Sequence, residues 1–408
     1  MTHTKQKIKL GVIADDFTGA SDAASFLVKA GYKVVMVANV QDELNEECDA
    51  LVVALKIRSV LPEEAIKAVK ETLVFFEVLG VEKIYYKYCS TFDSTPTGNI
   101  GVVLDYLMDY LDTRYTIICP SLPINGRTVK DGILYVNNVA LAETSMKDHP
   151  LNPMWDSYIP NLMKNQSKHQ CYISKLSSVN EVIDSIVDDK FYLVPDYHDD
   201  NDGKKIATMF KDLKLLSGGS GLLEYVDLGQ SLINKEHSMT SSSNKAVIIC
   251  GSCSKMTGIQ IKKFIQAGNP YVRIDSEDVL NDQINANMIF EEVLKNLPKT
   301  TIVFSDGVDK DMSLFSKDIA FKRISSMIEE IITELSELVA KNKFDRIVIA
   351  GGETSGAVTI RLGYKAYAIG KVVAPGVPIL IPLENKKMSL VLKSGNFGDE
   401  NFFVKAIE

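Results

Sequence analysis

Short apolar, β-branched runs alternate with amphipathic helical stretches along most of the chain, and that alternation points to largely parallel sheets covered by helices on both faces. Ile8 to Ala14 reads as a buried strand, followed by a turn and a helix from about Ser21 to Ala30, with Gly31 placed to stop it. Lys33 to Ala38, Ala50 to Leu55, Lys83 to Tyr88 and Tyr115 to Cys119 continue the strands, and Pro62 to Leu79 reads as a long helix. From Pro120 to Pro160 the pattern turns irregular, and a loop-rich stretch of that kind inside a compact domain is more often functional than idle. Alternation resumes with Phe191 to Pro195 and the glycine cluster Gly218 to Gly221. It starts afresh at Ala246 to Cys250 (strand), Thr257 to Ala267 (helix) and Thr300 to Phe304 (strand). A long helix over about Ile319 to Lys341 and a strand at Arg346 to Ala350 follow.

A chain of 408 residues is too long for one ordinary core. The polar, serine-rich stretch Ser231 to Lys245 reads as the linker between two α/β domains, 1–230 and 246–408, with a ligand site in the cleft between them. The formal net charge of −8 gives no broad positive field, which argues against nucleic acid or an anionic membrane as the main partner. A small anionic ligand needs only a few amides and one or two cations. Met1 to Lys9 is polar and basic, with no apolar run behind it long enough for a signal peptide, and no stretch approaches a membrane span. Six scattered cysteines do not form a disulfide framework, so a cytoplasmic protein is expected.

Polar clusters fall where strands end, and in open parallel sheets ligands bind beyond the carboxyl ends of strands. After the first strand come Asp15 and Asp16, then Thr18 and Gly19 turning into a helix. Two adjacent carboxylates there suit substrate hydroxyls, Mg²⁺ or a proton, while Asp and Thr are also common helix caps. Asp22 is expected to cap or to face solvent. A second strand end carries Lys56-Ile57-Arg58, where Arg58 could grip a carboxylate with two prongs. A third carries Ser90, Thr91, Phe92 and Asp93, a polyol-binding surface or a capped turn. In the loop-rich region His149 could act as a base or steady an anion, but a lone histidine more often makes a loop hydrogen bond.

The second half has three glycine turns. Gly251-Ser252-Cys253-Ser254 and Gly351-Gly352-Glu353-Thr354-Ser355-Gly356 each lie between a strand and a helix, and Lys393-Ser394-Gly395-Asn396-Phe397-Gly398 follows an apolar run. Glycine lets backbone approach phosphates, and a helix amino terminus offers free amides with partial positive charge. Three such turns in one domain suggest a nucleotide site. The Walker P-loop, the dinucleotide fingerprint and the esterase elbow are absent. Cys250 and Cys253 have thioredoxin-like spacing, but Cys250 belongs to a buried strand, which disfavours redox or zinc chemistry.

Taken in order, ADDFTGASD within Ile13 to Asp22, KYCSTFD at Lys87 to Asp93, GSCS at Gly251, GGETSG at Gly351 and KSGNFG at Lys393 resemble the four-carbon acid sugar kinases. That group includes the D-threonate, erythronate and 3-oxo-tetronate kinases. The resemblance runs from about Ile8 to Phe403. It implies a sugar-acid-binding amino-terminal domain and an ATP-binding carboxy-terminal domain. By motif match, Asp15, Arg58 and Ser90 to Asp93 would contact substrate, and Ser252, Ser254, Gly351, Gly352, Glu353, Thr354, Lys393 and Gly395 would contact ATP.

On this reading Mg²⁺, backbone amides and Lys393 stabilise charge on the transferred phosphoryl. Asp16 or Asp15 orients or deprotonates the hydroxyl, with Asp93 in reserve. A homodimer is possible for an enzyme of this kind. Two rivals stay open: a sugar-acid sensor that binds nucleotide without turnover, and an NAD(P)-dependent oxidoreductase on the same generic fold.

Overall fold

A computed structural model describes residues 7–38, 40, 44, 46–148, 153–231, 245–251, 254–305, 319–395 and 397–408. The chain divides into two compact units, Met1–Asn234 and Lys235–Glu408. Most of the expected linker, residues 232–244, lies outside the described residues, as do His149, Ser252 and Cys253.

The first unit opens with β1 (Leu10–Ala14), α1 (Phe17–Lys29), β2 (Val34–Val37), β3 (Ala50–Ala54), α2 (Pro62–Leu79), β4 (Lys83–Lys87) and α3 (Asn99–Tyr110). There follow β5 (Tyr115–Ile117), β6 (Arg127–Lys130), β7 (Ile133–Val136), β8 (Val139–Ala140), α4 (Ile159–Lys164) and β9 (Gln170–Ser174). It closes with α5 (Val179–Ser185), β10 (Phe191–Pro195), α6 (Asp200–Met209) and β11 (Leu215–Gly218). Its main sheet has the order β11-β4-β1-β3-β2, all parallel. All five residues of β1 are buried, so helices cover both sheet faces and the strand needs no polar alternation. Gly31 ends α1 as expected, with φ of 93° and amides of Gly31 and Tyr32 returning to Val28 and Leu27.

The chain passes from β3 on one side of β1 to β4 on the other. Loops leaving β1 and β4 therefore diverge, and that divergence opens a crevice at their carboxyl ends. A small antiparallel sheet, β6-β7-β8, occupies the region read as irregular from sequence, and a small parallel one, β5-β10-β9, includes the strands expected at Tyr115 and Phe191. The strands β6 to β8 are short and partly exposed, such as Arg-Thr-Val-Lys in β6, so no apolar run marks them.

The second unit comprises β12 (Ala246–Cys250), α7 (Lys255–Gln266), β13 (Tyr271–Ile274), α8 (Ser276–Leu280), α9 (Ala286–Lys295), β14 (Thr301–Ser305) and α10 (Ile319–Lys341). It ends with β15 (Arg346–Ala350), α11 (Gly352–Leu362), β16 (Ala366–Ala374), β17 (Val377–Pro382), β18 (Ser389–Lys393) and α12 (Phe402–Ile407). The parallel strands run β13-β14-β12-β15-β18, and β17 and β16 continue the sheet antiparallel. Ile248, Cys250, Val348 and Val391 pack with Ile261 and Phe264 of α7 and Phe402 and Phe403 of α12. Arg346 is buried at the start of β15, donating to Ser389 Oγ and to the Ala406 carbonyl at 2.9 Å, which ties the last helix to the sheet.

Gly11 shows how tightly this packing is set. A Cβ added there would lie 2.5 Å from the Phe76 ring of α2. Gly11→Ala should cost about 1–3 kcal/mol in urea unfolding, as overpacked cores do, and Phe76→Leu should recover part of that loss. An unchanged unfolding midpoint for Gly11→Ala would show the helix–sheet spacing to be slack.

Candidate active site

In the first unit, adjacent strands β4, β1 and β3 deliver their following residues side by side. The ladder continues past the strands: Asp15 N donates to Lys87 O and Ile57 N to Asp15 O. Arg58 is the hub. Its Nε and Nη2 donate to the two oxygens of Asp15 at 2.8 and 2.9 Å, Nη2 lies 3.0 Å from Asp16 Oδ1, and Nη1 lies 3.8 Å from Asp93 Oδ2. The three strand ends singled out by sequence thus meet at one guanidinium.

Each carboxylate is held differently. Asp15 is 2% exposed, and burial raises its carboxyl above the usual range against the pull of Arg58. Asp16 caps α1, accepting the Gly19 amide at 2.7 Å and the Thr18 hydroxyl at 2.9 Å. Burial acts to raise Asp16 too, but Arg58, Lys87, the Thr18 hydroxyl and the Gly19 amide together hold it below the usual range. Asp93 accepts the Thr91 hydroxyl at 2.7 Å. Burial also works against the charge of Arg58, yet Asp15 and Asp16 keep it firmly protonated. The prong-to-carboxylate grip expected of Arg58 is already made, inside the protein.

Asp22 requires a correction. It neither caps α1 nor faces solvent: it is buried, and its Oδ2 accepts the Ser220 hydroxyl at 2.6 Å. Lys87, also buried, lies 3.8 Å from the same oxygen. The turn after β11 packs here as well, since a Cβ on Gly219 would lie 3.4 Å from Ser90 Cβ and 2.7 Å from the Pro120 carbonyl oxygen. Lys87, Ser220 and Arg127 were not chosen as site residues from sequence. The glycine cluster, the loop-rich stretch and the KYCSTFD segment that Lys87 opens are the sequence signals here, and none names a partner.

In the second unit the glycine turns follow β12, β15 and β18, which are neighbours in the sheet, so all three turns stand side by side at carboxyl ends. They are bound to one another. Gly251 N donates to Ala350 O and Gly351 N to Lys393 O. A Cβ on Gly251 would lie 2.1 Å from Thr354 Oγ1, so the first and second turns need glycine to approach. Gly395 O accepts from Ser254 Oγ at 2.6 Å, Lys393 Nζ at 2.7 Å and Thr257 Oγ1 at 3.0 Å.

Gly351 precedes α11 with φ of 132° and ψ of 128°, a conformation open to glycine, and no side chain caps the helix. The first amides of α11 are therefore available to an anion, as phosphate sites require. Lys393 reaches into the third turn. It is fully buried, and its ammonium donates to Thr257 Oγ1, Ser394 O and Gly395 O. Burial lowers its pKa to about 8.

Carboxylates and hydroxyls crowd the strand ends of the first unit, and interlocked glycine turns those of the second. A family model described as a sugar-binding N-terminal domain matches residues 10–226, and one described as a nucleotide-binding C-terminal domain matches 247–403. Curated relatives named 3-oxo-tetronate kinase include one from Salmonella typhimurium, 37% identical over 419 residues and covering 98% of each chain. Another, from Escherichia coli, is 36% identical over 90% of this chain and 99% of its own. A solved Salmonella typhimurium structure, described as a putative tRNA synthase, superposes with a TM-score of 0.86 at 37% identity, over 98% of both chains. A Haemophilus influenzae structure gives 0.77, also at 37% identity, over 97% of this chain and 98% of its own. The chain belongs to the four-carbon acid sugar kinase family.

Arg58 and Lys393 each lead to a prediction. Arg58→Met strands Asp15 beside Asp16 and should cost about 3–5 kcal/mol, the usual result of removing one partner of a buried pair. Arg58→Met with Asp15→Asn should regain most of that stability in urea titrations without regaining activity; equal stability of both variants would contradict the pairing. For Lys393, the cost of burying the ammonium is complete below about 8 and is relieved as pH rises towards the ordinary lysine value of 10.5. Wild type should therefore gain stability relative to Lys393→Met between pH 8 and 10. A constant difference would mean that Lys393 titrates normally.

Proposed function

We propose that this protein is an ATP-dependent kinase that phosphorylates a hydroxyl of a four-carbon sugar acid, with 3-oxo-tetronate as the first acid to test. The observation that carries the reading is the pairing of two strand-end sites in one chain. One is carboxylate- and hydroxyl-rich around Arg58; the other is a set of interlocked glycine turns beside the open amino terminus of α11. Relatives named 3-oxo-tetronate kinase over nearly the whole chain support it.

On this reading ATP supplies the phosphoryl group, its phosphates held by the amides of Gly352 to Thr354 and by the turn around Gly395. Mg²⁺ commonly rides in on nucleotide phosphates with one or two carboxylates rather than a full protein cage. The acid's hydroxyls lie against Ser90, Thr91 and Asp93. Because the transition state is loose, positioning and charge stabilisation matter more than a strong base. Asp15 and Asp16, their oxygens already taken by donors, serve to fix Arg58 and the strand ends. The hydroxyl proton passes to Asp93, which has one oxygen less engaged.

No helix among the described residues is long and apolar enough to cross a membrane. A cytoplasmic setting, where ATP is abundant, suits the activity. The test is ADP release with Mg·ATP and a panel of 3-oxo-tetronate, D- and L-threonate, and D- and L-erythronate. Strong turnover with one acid, absent without it, is expected. Asp93→Asn should then lower kcat by about 10²–10⁴, the usual range for a positioned proton acceptor. Folded protein that binds ATP but turns over no acid on the panel would sink the proposal.

A further inference from the structure

Arg58 is poorly placed to receive a substrate carboxylate. Asp15 occupies two of its donors, and Asp16 and Asp93 lie within 3.0 and 3.8 Å. An incoming carboxylate would meet one cation surrounded by three anions, and the balance of charge there is repulsive. A kinase for acids nonetheless needs a cation for the carboxylate, or it would treat acids and neutral sugars alike.

Two other cations lie around Asp22. Lys87 ends β4, next to β1, and is 2% exposed. Its ammonium has three donors, and one bonds the Tyr88 carbonyl at 3.0 Å. Its ion partner, Asp22 Oδ2, is 3.8 Å away, beyond hydrogen-bond length, and is already bonded to Ser220. A Cβ on Gly19 would lie 3.2 Å from Lys87 Nζ, so glycine leaves room over the ammonium at the first turn of α1. Arg127 begins β6. Its Nη1 is engaged by Asn125 O, but its Nε is buried and has no partner among the described residues. The Arg127 guanidinium is near enough to help draw Asp22 down against the burial that raises it. Asp22 Oδ1 is likewise buried without a partner. Buried donors left open are costly unless something fills them.

We propose that Lys87 and Arg127, rather than Arg58, receive the carboxylate of the acid substrate, with Asp22 as the partial counter-charge that keeps Lys87 in place before the acid arrives. The inference rests on the kinase reading above. It adds a specificity element: the site selects acids because only a carboxylate completes this pair of cations. Arg58 organises the neighbouring carboxylates and leaves the ligand's charge to the other two.

The experiment is steady-state kinetics of the full-length protein with whichever acid the panel identifies. Lys87→Met should raise KM for the acid on the order of 10- to 100-fold, as loss of a charge-assisted hydrogen bond does, with kcat within about threefold and KM for ATP unchanged. Arg127→Met should shift the same constant in the same direction. Because Lys87→Met alone leaves Asp22 buried without its partner, Lys87→Met with Asp22→Asn removes both charges and keeps the test valid if the single variant misfolds. It should show the same rise in KM for the acid. A fall in kcat with KM for the acid held would assign Lys87 to the transferred phosphoryl and overturn the proposal. So would unchanged kinetics, or equal damage to acid and ATP constants. Wild type silent on every acid would instead refute the kinase reading itself.

Discussion

The Arg58 guanidinium is the point on which the acid-binding end of the first unit depends. It lies where β4, β1 and β3 end, and it draws Asp15, Asp16 and Asp93 from two different loops into one cluster. Carboxylates this close repel one another, and burial raises the cost of their charge. Without a central cation the turns after β1 and β4 could not both stay folded against the strand ends. The same contact fixes the start of α1, because Asp16 answers Arg58 and the Gly19 amide together.

The second unit solves a related problem with a lysine. The turn after β18 must expose its backbone on one side while its carbonyls point inward. Lys393, with Ser254 and Thr257, satisfies those carbonyls from beneath. Glycine at 251 and 351 lets the neighbouring turns close up against it. In both units, then, a cation at a strand end, partly buried in the first and fully buried in the second, shapes a polar turn from inside. The chemistry presented outward differs: carboxylates and hydroxyls in one unit, backbone amides in the other. That division matches what a phosphoryl transfer to a polyol acid needs, an acceptor held by side chains and a donor held by amides.

Much of this was legible in sequence because strand-end residues are fixed by local pattern. Apolar runs such as Ile8 to Ala14 and Arg346 to Ala350 mark the strands, so the pattern alone places Asp15, Asp16, Arg58 and the three glycine turns at carboxyl ends. Their grouping was also expected, since neighbouring parallel strands share one edge. What stayed hidden depended on contacts across long sequence distances. Asp22 looked like a cap or surface acid; only Ser220, 198 residues away, shows it to be buried and bonded. Lys87 and Lys393 end strands and carry no sequence mark of burial. β6 to β8 escaped because their few residues are partly exposed and lack apolar alternation. Whether Arg58 reached outward or inward likewise turned on geometry, not on its place in the chain.

The most direct test of a division of labour between the two units is hydrogen–deuterium exchange with each ligand added separately. The acid alone should slow exchange around Asp15 to Gly19, Ile57 to Ser59 and Tyr88 to Asp93. A non-hydrolysable ATP analogue alone should protect Gly351 to Ser355 and the Ser394 to Phe397 turn. Protection of the first unit by nucleotide, or of the second by acid, would contradict the account.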